Sequence, residues 1–212
     1  MAATEKWGNA PVSCDHGGDV RHPRPVTTIA VIGAGSWGTA LAKTLAESGH
    51  EVTLWAHGAS VAQSIATRRE NTTYLPGFAL PETLRVTSDL AAAVPGREVL
   101  VSVSPSHVVR QVMTEALRHA NGNPYVVTAS KGIEETSLLT MAGVLEDLVG
   151  PASAGRVAAL SGPSFAREVA GGMPTAVTVA ARDHAVSTAL QGIFNTSTFR
   201  VYSSEDVIGV EI

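Results

Sequence analysis

A glycine spacing at residues 33–38, Gly-Ala-Gly-Ser-Trp-Gly, constrains the fold of this chain more than any other segment. It directly follows an apolar run that begins at Thr28, and it directly precedes a helical pattern of apolar residues. In that context Gly33 allows a tight turn, Gly35 lets the backbone approach a pyrophosphate, and Gly38 lets the helix pack closely on the strand. The amides and the dipole at the helix N-terminus also favour an anion. The segment therefore predicts binding of a dinucleotide, with an ordinary strand–helix turn as the alternative.

Strand and helix patterns alternate after this turn, and the alternation predicts an α/β fold of the Rossmann type. We expect a doubly wound, largely parallel sheet with helices on both faces. The stretch 71–81 is predicted to be a loop because it carries proline and glycine signals. The predicted strands span residues 28–32, 51–56, 98–103, 125–129, 157–160, 175–181 and 199–202. The predicted helices span residues 39–48, 61–69, a segment after Pro105, 138–149, 164–170 and 186–194.

Three segments are expected along the chain. Residues 1–25 have no hydrophobic period and are predicted to be a disordered tail. Residues 26–203 are predicted to form the dinucleotide-binding domain. A new helix pattern then begins, with Ser204 as its cap, and the chain stops at Ile212. We interpret residues 204–212 as the truncated start of a C-terminal helical substrate domain that is otherwise absent from this chain.

Composition and charge exclude several other classes of function. The net charge of −4 gives no general attraction to nucleic acid or to anionic membranes. No apolar stretch approaches the roughly 18 residues that span a bilayer, and the N-terminus lacks the apolar core of a secretory signal. A single cysteine, Cys14, rules out an internal disulfide and is typical of a cytoplasmic protein. Cys14 and His16 are too few ligands for a metal site, so no bound metal is expected.

The end of the second predicted strand bears on the choice of cofactor. NAD-specific sites usually place Asp or Glu about 20 residues after the glycine turn, where it bonds the ribose hydroxyls. Here the strand ends Trp55-Ala56-His57-Gly58, without an acid. His57 could donate to the 2′-phosphate of NADP, so NADP is favoured and NAD remains open. The alternative is that His57 is simply a polar residue at a strand end.

Several further segments follow the glycine turn, and together they are far more specific than the turn alone. The segments are Gly33-Ala34-Gly35-Ser36-Trp37-Gly38-Thr39-Ala40-Leu41-Ala42, Tyr74-Leu75-Pro76-Gly77, Ser130-Lys131-Gly132-Ile133-Glu134, Leu160-Ser161-Gly162-Pro163-Ser164-Phe165-Ala166, Pro174-Thr175-Ala176 and Gly209-Val210-Glu211-Ile212. With them the chain, from about residue 28 to its end, resembles the bacterial NAD(P)-dependent glycerol-3-phosphate dehydrogenases.

The resemblance implies an activity and a set of site residues. Such enzymes reduce dihydroxyacetone phosphate to sn-glycerol 3-phosphate with NAD(P)H, for glycerophospholipid synthesis. Beside the glycines of the turn, the implied cofactor contacts are Ser36, Trp37, His57, Tyr74, Lys131 and Ala166. The implied substrate contacts are Lys131, Gly162 and Ser164.

These substrate positions also suit the chemistry. Lys131 follows a buried strand pattern, at the strand end where open α/β sheets bind ligands. A lysine there can pair with a phosphate or polarise a carbonyl. Gly162 and Ser164 lie between a strand pattern and a helix pattern, where amides and a hydroxyl can meet an anion. The alternatives are a solvated loop lysine and a simple helix cap.

The end of the chain departs from the family pattern. In the family, the segment that matches residues 209–212 continues into a lysine that serves as the catalytic acid/base, and a helical domain follows. Neither is present in this chain, so no catalytic residue is expected here and the chain is predicted to be largely or wholly inactive. For the full-length protein the expected partner is the small-molecule substrate, with a homodimer as an open expectation.

Two other functions remain as alternatives. A β-hydroxyacid or hydroxyacyl dehydrogenase shares the fold and the glycine turn, but the segments 130–132 and 160–164 argue against it. A non-catalytic NAD(P)-binding module is the alternative from a different class, and the missing acid/base lysine is the feature in its favour.

Overall fold

Short runs of Val, Ile, Leu and Ala build the centre of one large sheet in the computed structural model, which describes residues 25–212. Nearly all of the predicted tail lies outside these residues, as do Cys14 and His16. The strands are β1 Thr28–Ile32, β2 Glu51–Trp55, β3 Glu70–Asn71, β4 Leu75–Ala79, β5 Arg85–Thr87, β6 Val99–Ser102, β7 Tyr125–Thr128, β8 Val157–Ser161, β9 Thr175–Ala181 and β10 Phe199–Ser204. The helices are α1 Ser36–Glu47, α2 Ala59–Arg68, α3 Leu90–Ala93, α4 Ser106–Arg118, α5 Met141–Val149, α6 Ala166–Ala170, α7 His184–Phe194 and α8 Val207–Glu211.

The main sheet has eight strands in the order β10-β9-β8-β7-β6-β1-β2-β5. The six strands from β8 to β5 are parallel, whereas β9 pairs antiparallel with β8 and parallel with β10. The chain passes from β1 to β2 on one side and later returns to the other side of β1 as β6. The sheet therefore has a switch point between β1 and β6, and open α/β sheets bind ligands at the carboxyl ends of the strands that flank such a point. The predicted doubly wound, largely parallel sheet is confirmed.

Alternate residues of β1 pack into two separate hydrophobic cores, one on each face of the sheet. Ile29 and Val31 belong to the first core, together with residues of α1, α2, α6 and α7. Ala30 and Ile32 belong to the second core, together with residues of α3, α4 and α5. A parallel strand that is buried on both faces is expected to be continuously apolar, which explains why this run shows no polar alternation.

Residues 71–81 are not the loop that the sequence predicts. They contain most of a small antiparallel hairpin in which β3 pairs with β4, and Pro76 and Gly77 lie inside β4. The N–H of Gly77 donates to Glu70 Oε1 at 2.9 Å, and the side chain of Leu75 is buried in the first core. A two-stranded ribbon tolerates proline because each strand leaves half of its N–H groups unpaired. Turn-forming residue types therefore gave the wrong prediction for this segment.

The last helix begins two residues later than its sequence pattern predicts. Ser204 is the final residue of β10, and Asp206 is the cap of α8, because its carboxylate accepts from the N–H of Gly209 at 2.9 Å. Val207 packs against the second core. The division of the chain at residue 203 stays a prediction. Among residues 25–212, no helix combines the length and the apolar character needed to cross a membrane.

Candidate functional site

The three glycines of the turn differ in the space around them. Gly33 has φ +130°, and a Cβ there would lie 2.7 Å from the carbonyl oxygen of Val103. A Cβ on Gly38 would collide with the carbonyl oxygen of Gly33. At Gly35, apart from its chain neighbours, no atom of the described residues lies within 4 Å of the position that a Cβ would take. The turn is therefore closely packed at its two ends and open at its middle, as the approach of a pyrophosphate requires.

Helix α1 begins at this open space. Gly35 is the residue before its first helical residue, Ser36, and a glycine offers no side-chain oxygen to the amides of the first turn. These amides have no intrahelical acceptor either, so they are free to meet an anion. The N–H of Gly33 points elsewhere and donates to the carbonyl oxygen of Trp55 at 3.1 Å, which ties the turn to β2.

A cavity of about 830 Å³ lies in front of the turn. It opens at the carboxyl ends of β1, β2 and β6, which is the switch point of the sheet. Among residues 25–212, its lining contains no Asp or Glu and includes two histidines, so an anion placed there meets no carboxylate from this part of the chain. Its lining residues are Gly33, Ala34, Gly35, Ser36, Trp37, Gly38, Trp55, Ala56, His57, Gly58, Val61, Tyr74, Val103, Ser104, Pro105, His107, Val108, Gln111, Val112 and Ala129.

His57 and Tyr74 reach this cavity from different elements. His57 follows β2, and its ring stands edge-on to the ring of Trp55 with the centroids 5.8 Å apart. Trp55 is itself fixed, because its indole N–H donates to the carbonyl oxygen of Ser88 at 3.0 Å. Tyr74 comes from the β3–β4 hairpin and is about half exposed (52%). Both side chains therefore have room to contact a ligand while their backbones are held.

The segment that carries Lys131 is fastened to the start of α4. The hydroxyl of Ser130 donates to the carbonyl oxygen of Ser104 at 2.6 Å. Gly132 has φ +133°, and a Cβ on it would lie 2.8 Å from the Cβ of Ser106. Lys131 itself is exposed. Its backbone is thus fixed on both sides while its ammonium group stays free to reach a ligand.

A cluster of ion pairs also connects the Lys131 segment to α4 and α5. Arg110 on α4 donates from Nε and Nη2 to the two carboxylate oxygens of Glu134, each at 2.8 Å, and from Nη1 to Asp147 Oδ2 on α5 at 2.6 Å. The hydrogen bonds from Arg110, followed by the one from Ser137, lower the pKa of Glu134 to about 2. Glu134 is therefore ionised at neutral pH, and the Lys131 segment is linked to both α4 and α5.

The second predicted substrate segment follows β8. Gly162 has φ +156°, and a Cβ on it would lie 2.9 Å from the Cα of Val177 on the neighbouring strand β9. The hydroxyl of Ser164 donates to the carbonyl oxygen of Gly162 at 3.4 Å. Ala166 is the first residue of α6 and packs against the first core. The segment thus forms a tight link between the sheet and α6.

Seven of the predicted positions line the cavity, namely Gly33, Gly35, Ser36, Trp37, Gly38, His57 and Tyr74. Lys131, Gly162, Ser164 and Ala166 do not line it. Because β7 and β8 are parallel to β6, the segments that follow them lie at the same edge of the sheet as the cavity. Ala129, which does line the cavity, is two residues before Lys131. The contacts of these four residues with a ligand stay predictions.

Sequence reasoning missed the wall that α4 and the end of β6 contribute, including Ser104, His107 and Gln111. One signal could have indicated this wall. The pair Ser104-Pro105 directly follows the buried strand pattern 98–103, and the carboxyl end of a strand is where open α/β sheets bind ligands. It also missed Asn71, which is buried and hydrogen-bonded to the glycine turn. No local signal marks its link to the turn, because Ala34 and Thr39, to which its amide donates, are far away in the sequence.

Comparison with known proteins gives a consistent result. A family described as "NAD-dependent glycerol-3-phosphate dehydrogenase N-terminus" matches residues 28–187. A "Glycerol-3-phosphate dehydrogenase [NAD(P)+]" of Geobacter sp. (strain M21) is 50% identical over 184 residues, covering 87% of this chain and 55% of that protein. The protein of the same name from Anaeromyxobacter dehalogenans (strain 2CP-C) is 50% identical over 182 residues, covering 86% and 55%.

A crystal structure of glycerol-3-phosphate dehydrogenase from Coxiella burnetii is similar in fold, with a TM-score of 0.80 and 36% identity. The match covers 88% of this chain and 56% of that one. The chain therefore spans just over half the length of the relatives that it matches.

Proposed function

The chain belongs to the NAD-dependent glycerol-3-phosphate dehydrogenase family, and on that premise we propose that its cavity binds NAD(P)H. One observation carries the proposal: a cavity opens directly in front of Gly35 and the first turn of α1, and the described residues that line it include no carboxylate. A dinucleotide needs this combination, because its pyrophosphate is anionic and must approach the backbone closely.

Each part of the cavity has a proposed task. The amides of Ser36, Trp37 and Gly38 hold the pyrophosphate, since they lie in the first turn of α1 and have no acceptor in the helix. Tyr74 and Ala166 contact the cofactor from the hairpin and from α6. When bound, the nicotinamide ring supplies the hydride that reduces a carbonyl carbon. The protein excludes water around that ring and fixes its orientation.

We propose that NADP is preferred over NAD. The adenosine side of such a site lies at the end of β2, where His57 is exposed and where the lining that residues 25–212 provide has no carboxylate. A carboxylate there would repel the 2′-phosphate of NADP, whereas an imidazole N–H can donate to it.

For the whole-length protein we propose reduction of dihydroxyacetone phosphate to sn-glycerol 3-phosphate. Lys131 would pair with the substrate phosphate or polarise its carbonyl, and Gly162 and Ser164 would offer an amide and a hydroxyl to the same anion. The fastened backbone around Lys131 supports this role, because only the side chain then has to be ordered when its ammonium group meets a ligand. None of the described residues is assigned as the proton donor.

The cofactor proposal is tested by titrating the 212-residue chain with NADPH and NADH and following Trp fluorescence. We expect both to bind and NADPH to bind more tightly. His57→Ala should weaken the binding of NADPH but not of NADH, so that the dissociation constant for NADH divided by that for NADPH falls by about fivefold. This is the size expected when a hydrogen bond to a charged group is lost at an exposed site. The matched control is His107→Ala, a histidine on the opposite wall, which should leave the ratio unchanged. Failure of the unsubstituted chain to bind either cofactor would contradict the proposal.

The substrate proposal needs a protein that is as long as the relatives. Its turnover of dihydroxyacetone phosphate is compared with its turnover of β-ketoacids, which a β-hydroxyacid dehydrogenase would prefer. We expect activity with dihydroxyacetone phosphate alone. Activity restricted to β-ketoacids would replace the proposed substrate and leave the proposed cofactor in place.

A further inference from the structure

Asn71 is a buried polar residue that joins three segments of the cavity region. The residue is 1% exposed. The amide Nδ2 donates to the carbonyl oxygen of Ala34 at 2.9 Å and to the hydroxyl of Thr39 at 2.8 Å. The amide Oδ1 accepts from the N–H of Tyr74 at 3.1 Å. One side chain thus contacts the glycine turn, helix α1 and the backbone of Tyr74.

The contact with Ala34 falls where the turn has most freedom. Ala34 lies between Gly33 and Gly35, and glycine loses more conformational freedom on ordering than any other residue. Gly33 is held by its fit against Val103, but Gly35 has open space around it. A hydrogen bond to the Ala34 carbonyl limits the rotation of the peptide plane that joins Ala34 to Gly35.

The hairpin that carries Asn71 is itself held firmly. Arg167 on α6 donates from Nη1 to the carbonyl oxygen of Pro76 at 3.1 Å, and its guanidinium lies 5.1 Å from the centre of the Phe78 ring. The pairing of β3 with β4 is irregular at Glu70 and Asn71, where the register shifts. The hairpin is therefore tied to α6 by these contacts and to the first core by buried Leu75.

We infer that Asn71 is a positioning residue: it holds the glycine turn and Tyr74 in one fixed relation, so that the cavity is already shaped for the cofactor before binding. The ligand in this inference rests on the proposed function, whereas the rigidity of the turn is a property of the chain alone. A purely structural role would lower stability without changing the affinity of folded molecules. The positioning role changes that affinity.

The central test compares Asn71→Ala with the unsubstituted chain in two measurements on the folded protein at 25 °C. Hydrogen–deuterium exchange of the peptide 33–41 reports the rigidity of the turn without any ligand. We expect exchange to accelerate by about tenfold or more, as loss of a buried hydrogen bond predicts. The dissociation constant for NADPH should rise by about tenfold as well, because preorganisation is lost.

Asn121→Ala is the control, at an exposed asparagine. Asn121 Oδ1 also accepts from a backbone N–H, that of Gly96 at 2.6 Å, but this bond lies at the amino ends of the strands, away from the cavity. Its loss should leave both the exchange of peptide 33–41 and the affinity for NADPH within twofold of the unsubstituted chain.

Two further variants keep the test decisive if Asn71→Ala does not fold. Asn71→Asp keeps an acceptor for Tyr74 N–H but turns an oxygen towards the carbonyl of Ala34, so it should loosen the turn as Asn71→Ala does. Thr39→Val removes one acceptor of Asn71 and keeps the shape of the side chain. We expect smaller changes, of about two- to fivefold, in the exchange rate of peptide 33–41 and in the dissociation constant for NADPH.

The outcomes separate the inference from the proposed function. Faster exchange in the turn supports the inference even if neither cofactor binds, in which case only the proposed function fails. Unchanged exchange and unchanged affinity in the Asn71 variants would overturn the inference while NADPH binding by the unsubstituted chain still stands. The inference would also be overturned if Asn121→Ala accelerated the exchange of peptide 33–41 and weakened NADPH binding as much as Asn71→Ala does.

Discussion

At Gly35 the backbone has φ −69° and ψ −177°, a conformation that alanine adopts without strain. Because no atom of residues 25–212, except those of its chain neighbours, lies within 4 Å of its Cβ position, Gly35→Ala should fold. We expect its free energy of unfolding to stay within about 1 kcal/mol of the original. The new methyl group would occupy the space of the pyrophosphate, so the dissociation constant for NADPH should rise by about tenfold or more.

Gly38→Ala provides the contrast, since its Cβ collides with the carbonyl oxygen of Gly33 and should destabilise the chain by roughly 1–3 kcal/mol. Urea unfolding and cofactor titration measure the two effects separately. Normal NADPH binding by Gly35→Ala would mean that the pyrophosphate lies elsewhere.

The residues of the turn could be predicted from sequence because their signal is local. Gly33, Gly35 and Gly38 stand within six positions, between a strand and a helix that can be recognised. Asn71 could not be predicted, because its partners Ala34 and Thr39 are 37 and 32 positions away and only the folded hairpin brings them together.

The ion pair between Arg110 and Glu134 links helix α4 to the Lys131 segment. The pH dependence of its contribution to the stability of the fold can be predicted. The hydrogen bonds from Arg110 lower the pKa of Glu134 from 4.5 to about 2. A carboxyl group with a lowered pKa in the folded state stabilises the fold fully above its unfolded pKa. That stabilisation is lost as the pH falls from about 4.5 to about 2, since only the unfolded chain then gains a proton.

Glu134→Gln should therefore be less stable than the unsubstituted chain at pH 7, and the difference should shrink through this acidic range. Urea midpoints measured between pH 7 and pH 2.5 check it, with Glu135→Gln, at an exposed neighbouring position, as the control. A difference that does not depend on pH would show that the charge of Glu134 is not what stabilises the segment.

Helices and strands with a clear periodicity of hydrophobic residues could be predicted from the sequence, whereas shorter elements could not. The buried strands and the longer helices were recognised, and the segment 175–181 is a strand as predicted although it runs antiparallel to β8. The strands β3 and β5 have two and three residues, and α3 has four. Such elements are too short to show a period, and they form because tertiary contacts fix them. The helix predicted from 138 begins only at Met141, because Thr140 caps it through the N–H of Gly143.

At the scale of the whole molecule, net charge and site charge point in different directions. The chain carries a net charge of −4, yet none of the carboxylates between residues 25 and 212 lines the cavity. Composition could not predict this arrangement, because the lining comes from segments spread between residues 33 and 129. The fold alone determines which charges face a ligand, so the affinity for a phosphorylated cofactor is a property of the site and not of the chain average.

Ligand binding should therefore stabilise the whole molecule, because the cavity exists only when these segments are assembled. A ligand that binds only the folded state adds about 2.7 kcal/mol at a free concentration 100 times its dissociation constant. For a chain of this size each kcal/mol raises the melting temperature by about 2–4 °C, so NADPH should raise it by roughly 5–10 °C. Differential scanning calorimetry measures the shift. Gly35→Ala at the same NADPH concentration should show a much smaller one. An equal shift in that variant would mean that NADPH stabilises the chain at another place, and the glycine turn would then no longer be its binding site.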